Sequence, residues 1–158
     1  MGDSKNHTCC FLGHRKIIQT AELVEKLKRT VEMLILERGV STFLFGSRSE
    51  FDKICLDVVT ELKEKDPHIK RVYVRAEYPE IDDSYLQFLL RQYEDTYFPE
   101  RLKNAGASVY VERNREMIDK SSVCVVFFDK NTFREKSGTK LAYEYAMKKK
   151  KEIFNMAK

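Results

Sequence analysis

Four short groups of residues in this chain could do chemistry together. The first is Gly13, His14 and Arg15, which interrupt the apolar run of "TCCFLGHR". A buried strand has no use for them, but a ligand does: glycine lets a backbone come close, and the other two offer donors. The second is Gly46, Ser47 and Arg48, with Asp52 a few residues on. The third is Arg113 and Asn114, and the fourth is Ser137, Gly138 and Thr139. Hydroxyls, glycines and arginines at helix starts suit phosphate. Unpaired helix amides form an anion site, and a guanidinium donates two hydrogen bonds at once.

Each group also has a plain structural reading. Ser49 and Ser137 could simply cap helices, and Asp52 could be a first-turn partner of the helix dipole. His14 has no partner carboxylate fixed by spacing, so catalysis by it is disfavoured. Asp52 and Glu144 are the acidic candidates if a reaction is catalysed, although Glu144 could equally be a solvated helix residue.

The apolar pattern supplies elements to position these groups. It predicts a strand over 9–12, then a helix capped by Thr20 with Leu23, Leu27, Val31 and Leu36 in period, ending near Gly39. A strand over 41–45 precedes a second helix with Ile54, Val58 and Leu62 on one face, which stops before Pro67. Residues 69–74 alternate and read as a third strand. Ser84 and Gln87 have capping-box spacing and predict a helix bracketed by loops. Strands are expected over 107–111, 123–128 and 152–154, and helices over 112–119 and 138–150. The tyrosines between residues 73 and 97 (Tyr73, Tyr78, Tyr85, Tyr93 and Tyr97) could stack on a base or form a lid, and Tyr93 and Tyr97, at helical spacing, read equally as core-edge residues.

Alternating strands and helices imply an α/β fold: a Rossmann-like three-layer sandwich with a mainly parallel sheet of about five strands. The four chemical groups then gather at the carboxyl ends of the strands, where such sheets bind ligands. The 158 residues show no repeat, linker or composition break, so one domain over 1–158 is expected. No stretch is long and apolar enough to cross a membrane. The cysteines Cys9, Cys10, Cys55 and Cys124 show neither metal nor disulfide spacing, which suits reduced thiols in a cytoplasmic protein. No metal or cofactor is expected. The net charge of +4 is modest and disfavours nucleic acid as a partner. Self-association is left open.

The phrases "FLGHR", "ERNREMIDKSSVCVVFF" and "SGTKLAYEYAMKKKKEIFN" together resemble the SLOG superfamily, and within it the YpsA-like bacterial branch. The group also includes the Lonely-guy phosphoribohydrolases and the Smf/DprA-like proteins. The matching positions are Gly13-His14-Arg15, the turn from Gly46 to Asp52, Arg113-Asn114 with Met117-Ile118-Asp119, and Gly138-Thr139 with Tyr145-Ala146. The resemblance runs from Thr8 to Asn155 and implies a fold that binds nucleotides or their derivatives. It implies a sensor or binding protein for such a ligand, ADP-ribose-like signals included. The alternatives it carries are an N-glycosidic hydrolase of nucleoside monophosphates and an Smf-like DNA-binding module. Two departures matter. The hydrolases' Pro-Gly-Gly-x-Gly-Thr-x-x-Glu run is replaced by "KNTFREKSGT", with Ala142 in the glutamate's place and Glu144 two positions late. Glu50 also stands where the family has a second glycine before its aspartate. The first departure argues against hydrolysis, and the second against a standard phosphate approach at that turn.

Overall fold

The protein is described by a computed structural model over residues 3–131 and 137–157. The strands are β1 (Thr8–Gly13), β2 (Thr42–Phe45), β3 (Lys70–Val74), β4 (Asp95–Tyr97), β5 (Val123–Phe127) and β6 (Glu152–Asn155). The helices are α1 (Asp3–Asn6), α2 (Ala21–Arg38), α3 (Glu50–Lys63), α4 (Asp83–Leu89), α5 (Val109–Asp119) and α6 (Gly138–Lys148). The six strands form one sheet in the order β4-β3-β2-β1-β5-β6, and every pairing is parallel. Strand order reverses between β1 and β5, which makes their carboxyl ends the switch point of a Rossmann-like sheet.

Two apolar layers enclose the sheet. Alternate residues of β1 point to opposite faces. Cys9 and Phe11 pack with Leu27, Val31 and Leu34 of α2 and with Phe51 and Val58 of α3. Cys10 and Leu12 pack with Met117 and Ile118 of α5 and with Ala142 and Ala146 of α6. Each large side chain so buried contributes roughly 1.5–3 kcal/mol. All four cysteines are buried and free.

Local chemistry sets several boundaries. The Thr20 hydroxyl accepts from the Leu23 amide at 3.1 Å and starts α2, and Gly39 ends it at φ 67°, a left-handed conformation that glycine adopts without strain. In α4 the cap is Asp82, which accepts from Tyr85 N at 2.8 Å, and Ser84 sits inside the first turn. The expected capping box therefore lies two residues too late.

The strand expected over 107–111 does not form. Its first residues make a 3₁₀ turn (Gly106–Ser108), and Val109 opens α5. The β-branched pair Val109 and Val111 is only half-buried, whereas Arg113, Met117 and Ile118 are buried at helical spacing. Packing of that stripe on the sheet overrides local β preference. The missing partner beside β3 is β4, three residues long and only half-buried or exposed, with too little apolar pattern to announce itself.

Candidate functional site

A cleft of about 730 Å³ opens at the carboxyl ends of β1 and β2. Gly13, His14 and Arg15 enter it from the loop after β1, and Gly46, Ser47 and Arg48 from the loop after β2. Asp52 comes from α3, Arg113 and Asn114 from α5, and Ser137, Gly138 and Thr139 from the start of α6. Thus the residues proposed from sequence as ligand-binding line one cavity. Glu144 does not: it is exposed on α6, while Ala142 lines the cleft. Two residues along a helix turn a side chain to nearly the opposite face.

Close backbone approach is built into two of these loops. A Cβ on Gly13 would lie 2.3 Å from the Phe51 ring, and one on Gly46 would lie 2.5 Å from Met117 Sδ and 2.9 Å from Arg113 Nε. Both positions demand glycine. Among the described residues nothing lies within 4 Å of a Cβ on Gly138.

The turn into α3 is internally satisfied. Asp52 Oδ2 accepts from the amides of Ser47 at 3.0 Å and Gly46 at 3.3 Å. The Ser49 hydroxyl accepts from Asp52 N, and the Ser47 hydroxyl from Ser49 N. Glu50 turns away to hold the first loop: its carboxylate accepts from Ile17 N at 2.8 Å, and its amide donates to Arg15 O at 2.8 Å. Asp52 therefore occupies the place a phosphate oxygen would take in that nest of amides. Burial pushes its carboxyl up from 3.8 to about 6, against the pull of the two amides and of Arg113. Its other oxygen, Oδ1, is buried with no hydrogen-bond partner.

The turn into α6 is different. Ser137 Oγ accepts from Lys140 N at 2.9 Å, and Ser137 O from Leu141 N at 3.2 Å. Among the described residues, the amides of Gly138 and Thr139 and the Thr139 hydroxyl have no partner within the protein. Residues 132–136 of the preceding "KNTFREKSGT" loop lie outside the described ones.

Arg113 is 8% exposed. The sequence places it at the start of a helix over 112–119; because α5 begins at Val109, it lies in the second turn, wedged against Gly46. Its Nε and Nη2 reach Asn114 Oδ1 at 3.3 and 3.2 Å, and its guanidinium lies 5.5 Å from the Tyr110 ring centre. Burial holds it below the usual arginine range, while Asp52 draws it back up.

His14 is buried at the end of β1. Its Nε2 accepts from the Asp129 amide at 3.1 Å, and its ring lies against Phe127 and Phe128. The neutral ring then carries its proton on Nδ1, and burial holds the group below the usual histidine range. His14 ties the loop after β1 to the loop after β5.

No protein-family model matches the chain, and no curated protein does. Among solved structures the chain is similar to DNA processing protein A (DprA) from Streptococcus pneumoniae, with a TM-score of 0.58 and 12% identity. The match covers 94% of this chain and 49% of that one, so the chain spans about half the length of this neighbour. The likeness is one of fold.

Several lining residues lie outside the four groups, Tyr73, Tyr110 and Glu77 among them, and of these only Tyr73 is among the tyrosines that could stack on a base. Tyr73 belongs to β3, Tyr110 to α5, and Glu77 to the loop after β3, yet all three face the cleft. A smaller compartment adds Arg75, Tyr78 and Tyr85. Two cues in the sequence point there: the tyrosines between residues 73 and 97, and the arginine directly after a strand in "YVRAE". Tyr93 is not part of a lid: it is buried in the core against Phe45 and Tyr73. Tyr97 is half-buried and donates to Glu116 at 2.9 Å.

Proposed function

We propose that the cleft binds a nucleotide or nucleotide-derived ligand, ADP-ribose-like signals among them, and that the protein acts as a sensor or binding protein. The phosphate sits at the start of α6, on the Gly138 and Thr139 amides and the Thr139 hydroxyl, with Arg113 supplying charge. The observation that carries this reading is the unpartnered start of α6, opening into a cavity that also holds a buried guanidinium and a buried carboxylate oxygen without a donor. That oxygen, Asp52 Oδ1, suits a ligand hydroxyl. The order of the motifs supports placement in the SLOG superfamily and its YpsA-like branch, and the buried thiols support a reducing, cytoplasmic setting.

Calorimetry with adenosine and adenosine monophosphate tests the reading. The monophosphate should bind at least tenfold tighter, as a charge-assisted phosphate contact implies. Equal affinities would remove the phosphate assignment. Chromatography of the incubated monophosphate decides the hydrolase alternative. That alternative now rests on Asp52, whose carboxyl near 6 could donate a proton; release of free base would establish it. The structural likeness to a DNA processing protein supports a second reading, DNA as ligand. Fluorescence anisotropy with a labelled oligonucleotide tests it, and binding that the monophosphate does not displace would support a separate DNA surface.

A further inference from the structure

A compartment of about 300 Å³ adjoins the cleft and shares Arg48, Tyr73, Glu77 and Arg113 with it. Three guanidiniums line it: Arg48, Arg75 and Arg113. Arg75 and Arg113 are 9% and 8% exposed. Among the described residues none of the three forms an ion pair. Arg75 spends its donors on neutral oxygens: Tyr78 O at 3.0 Å, Thr96 Oγ1 at 3.1 Å and Pro79 O at 3.3 Å. Arg48 donates to the Tyr85 hydroxyl at 3.2 Å.

The rest of the molecule treats arginine differently. Arg38 pairs with Glu152, Arg71 with Glu94 and Arg101 with Asp119, although these lie nearer to solvent than Arg75 or Arg113 do. Buried charge without a counter-charge is costly, so the usual pattern is pairing. The single carboxylate in the compartment wall, Glu77, is exposed. Asp52 and Glu77 act on Arg113 and Asp95 on Arg75, none of them as an ion pair among the described residues. Burial holds Arg75 below the usual arginine range, which shows how little compensation it receives.

We infer that this compartment is a second anion site, so that the ligand carries two anionic groups and the second supplies the counter-charge that Arg48, Arg75 and Arg113 lack. The inference rests on the nucleotide reading above and narrows it to nucleotides bearing more than one phosphate. Arg48 is the exposed member and donates through Nη2 to the Tyr85 hydroxyl. Arg75 is pinned by two loop carbonyls and so is already oriented. The Tyr85 hydroxyl accepts from Arg48 and keeps its own proton to donate to an anion.

The test compares adenosine, adenosine monophosphate, ADP and adenosine 3′,5′-bisphosphate by calorimetry. In the wild type, the tighter of the two diphosphorylated probes should exceed the monophosphate by about tenfold or more. Arg75→Gln should bring that ratio close to one. Should that variant fail to fold, Arg48→Gln is read by the same ratio, which cancels whatever Arg48 contributes at the first phosphate. A wild-type ratio near one, or a ratio that survives both substitutions, overturns the second site and leaves the nucleotide reading standing. A monophosphate no tighter than adenosine overturns the nucleotide reading, and the second site falls with it.

Discussion

Helices α3 and α6 begin in the same cleft with the same device. Ser49 accepts from the Asp52 amide at 3.0 Å, and Ser137 from the Lys140 amide at 2.9 Å. The residue three places after the cap separates them. Asp52 turns its carboxylate back over the Gly46 and Ser47 amides and fills the nest with the protein's own negative charge. Lys140 carries no acceptor, and the Gly138 and Thr139 amides have no partner among the described residues, whereas the first amide of α3, that of Glu50, donates to Arg15 O at 2.8 Å. Two starts that look alike as caps thus differ: one is closed by the protein's own carboxylate and carbonyl, and the other has amides without a partner among the described residues.

The largest effect should come from the filled site. Asp52→Asn keeps the shape and removes the buried charge. The folded carboxyl titrates near 6 rather than 3.8, so its contribution to stability is present at low pH and lost as pH rises through about 6. That gap corresponds to roughly 3 kcal/mol for a group buried this deeply. Relative to the wild type, Asp52→Asn should gain stability between pH 4.5 and 7.5, as measured by urea denaturation at both values. A constant difference across that range would mean that Asp52 is not titrating.

Next comes Arg113, which serves both sides of the cleft. Arg113→Ala should weaken adenosine monophosphate by roughly ten- to a hundredfold, the loss of one charge-assisted contact, and adenosine by little. Because Arg113 is buried against Gly46, some loss of stability accompanies it. The ratio of the two affinities is therefore the readout. Equal losses would place Arg113 with the fold or the base.

The glycines sharpen the contrast. Gly46→Ala drives a methyl into Met117 and Arg113 and should cost about 1–3 kcal/mol of stability. Gly138→Ala meets nothing within 4 Å among the described residues and should shift the melting temperature little while weakening the phosphorylated ligand. A large stability loss at Gly138 would show that the start of α6 is not open. Smallest is the cap itself: Ser49→Ala should cost about 1 kcal/mol, checked by denaturation at pH 7.

Much of this was legible in advance where the signal is local. The cap at Thr20 and the stop at Gly39 bound α2, because a hydroxyl and a left-handed glycine act on their immediate neighbours. The five longer strands announced themselves by apolar runs, and the four chemical groups by residue type after those runs. Elements decided by distant partners were not legible. The stretch from Ala107 to Val111 reads as a strand and enters a helix, because Met117 and Ile118 commit the following residues to the sheet face. β4 exists through pairing with β3 and has little pattern of its own.

The sequence by itself determined the alternation of strand and helix, hence a parallel sheet with its loops gathered at one edge, and it determined which residue types those loops carry. Only the tertiary structure decided what each of them faces. It buried Arg113 and left Glu144 outside, it turned Asp52 onto the amides before α3, and it brought Arg75 beside Arg48 with no ion pair to either among the described residues. Periodicity and capping are written in neighbouring residues. The pairing of charges depends on which segments the fold brings within a few ångströms, and no local pattern encodes that.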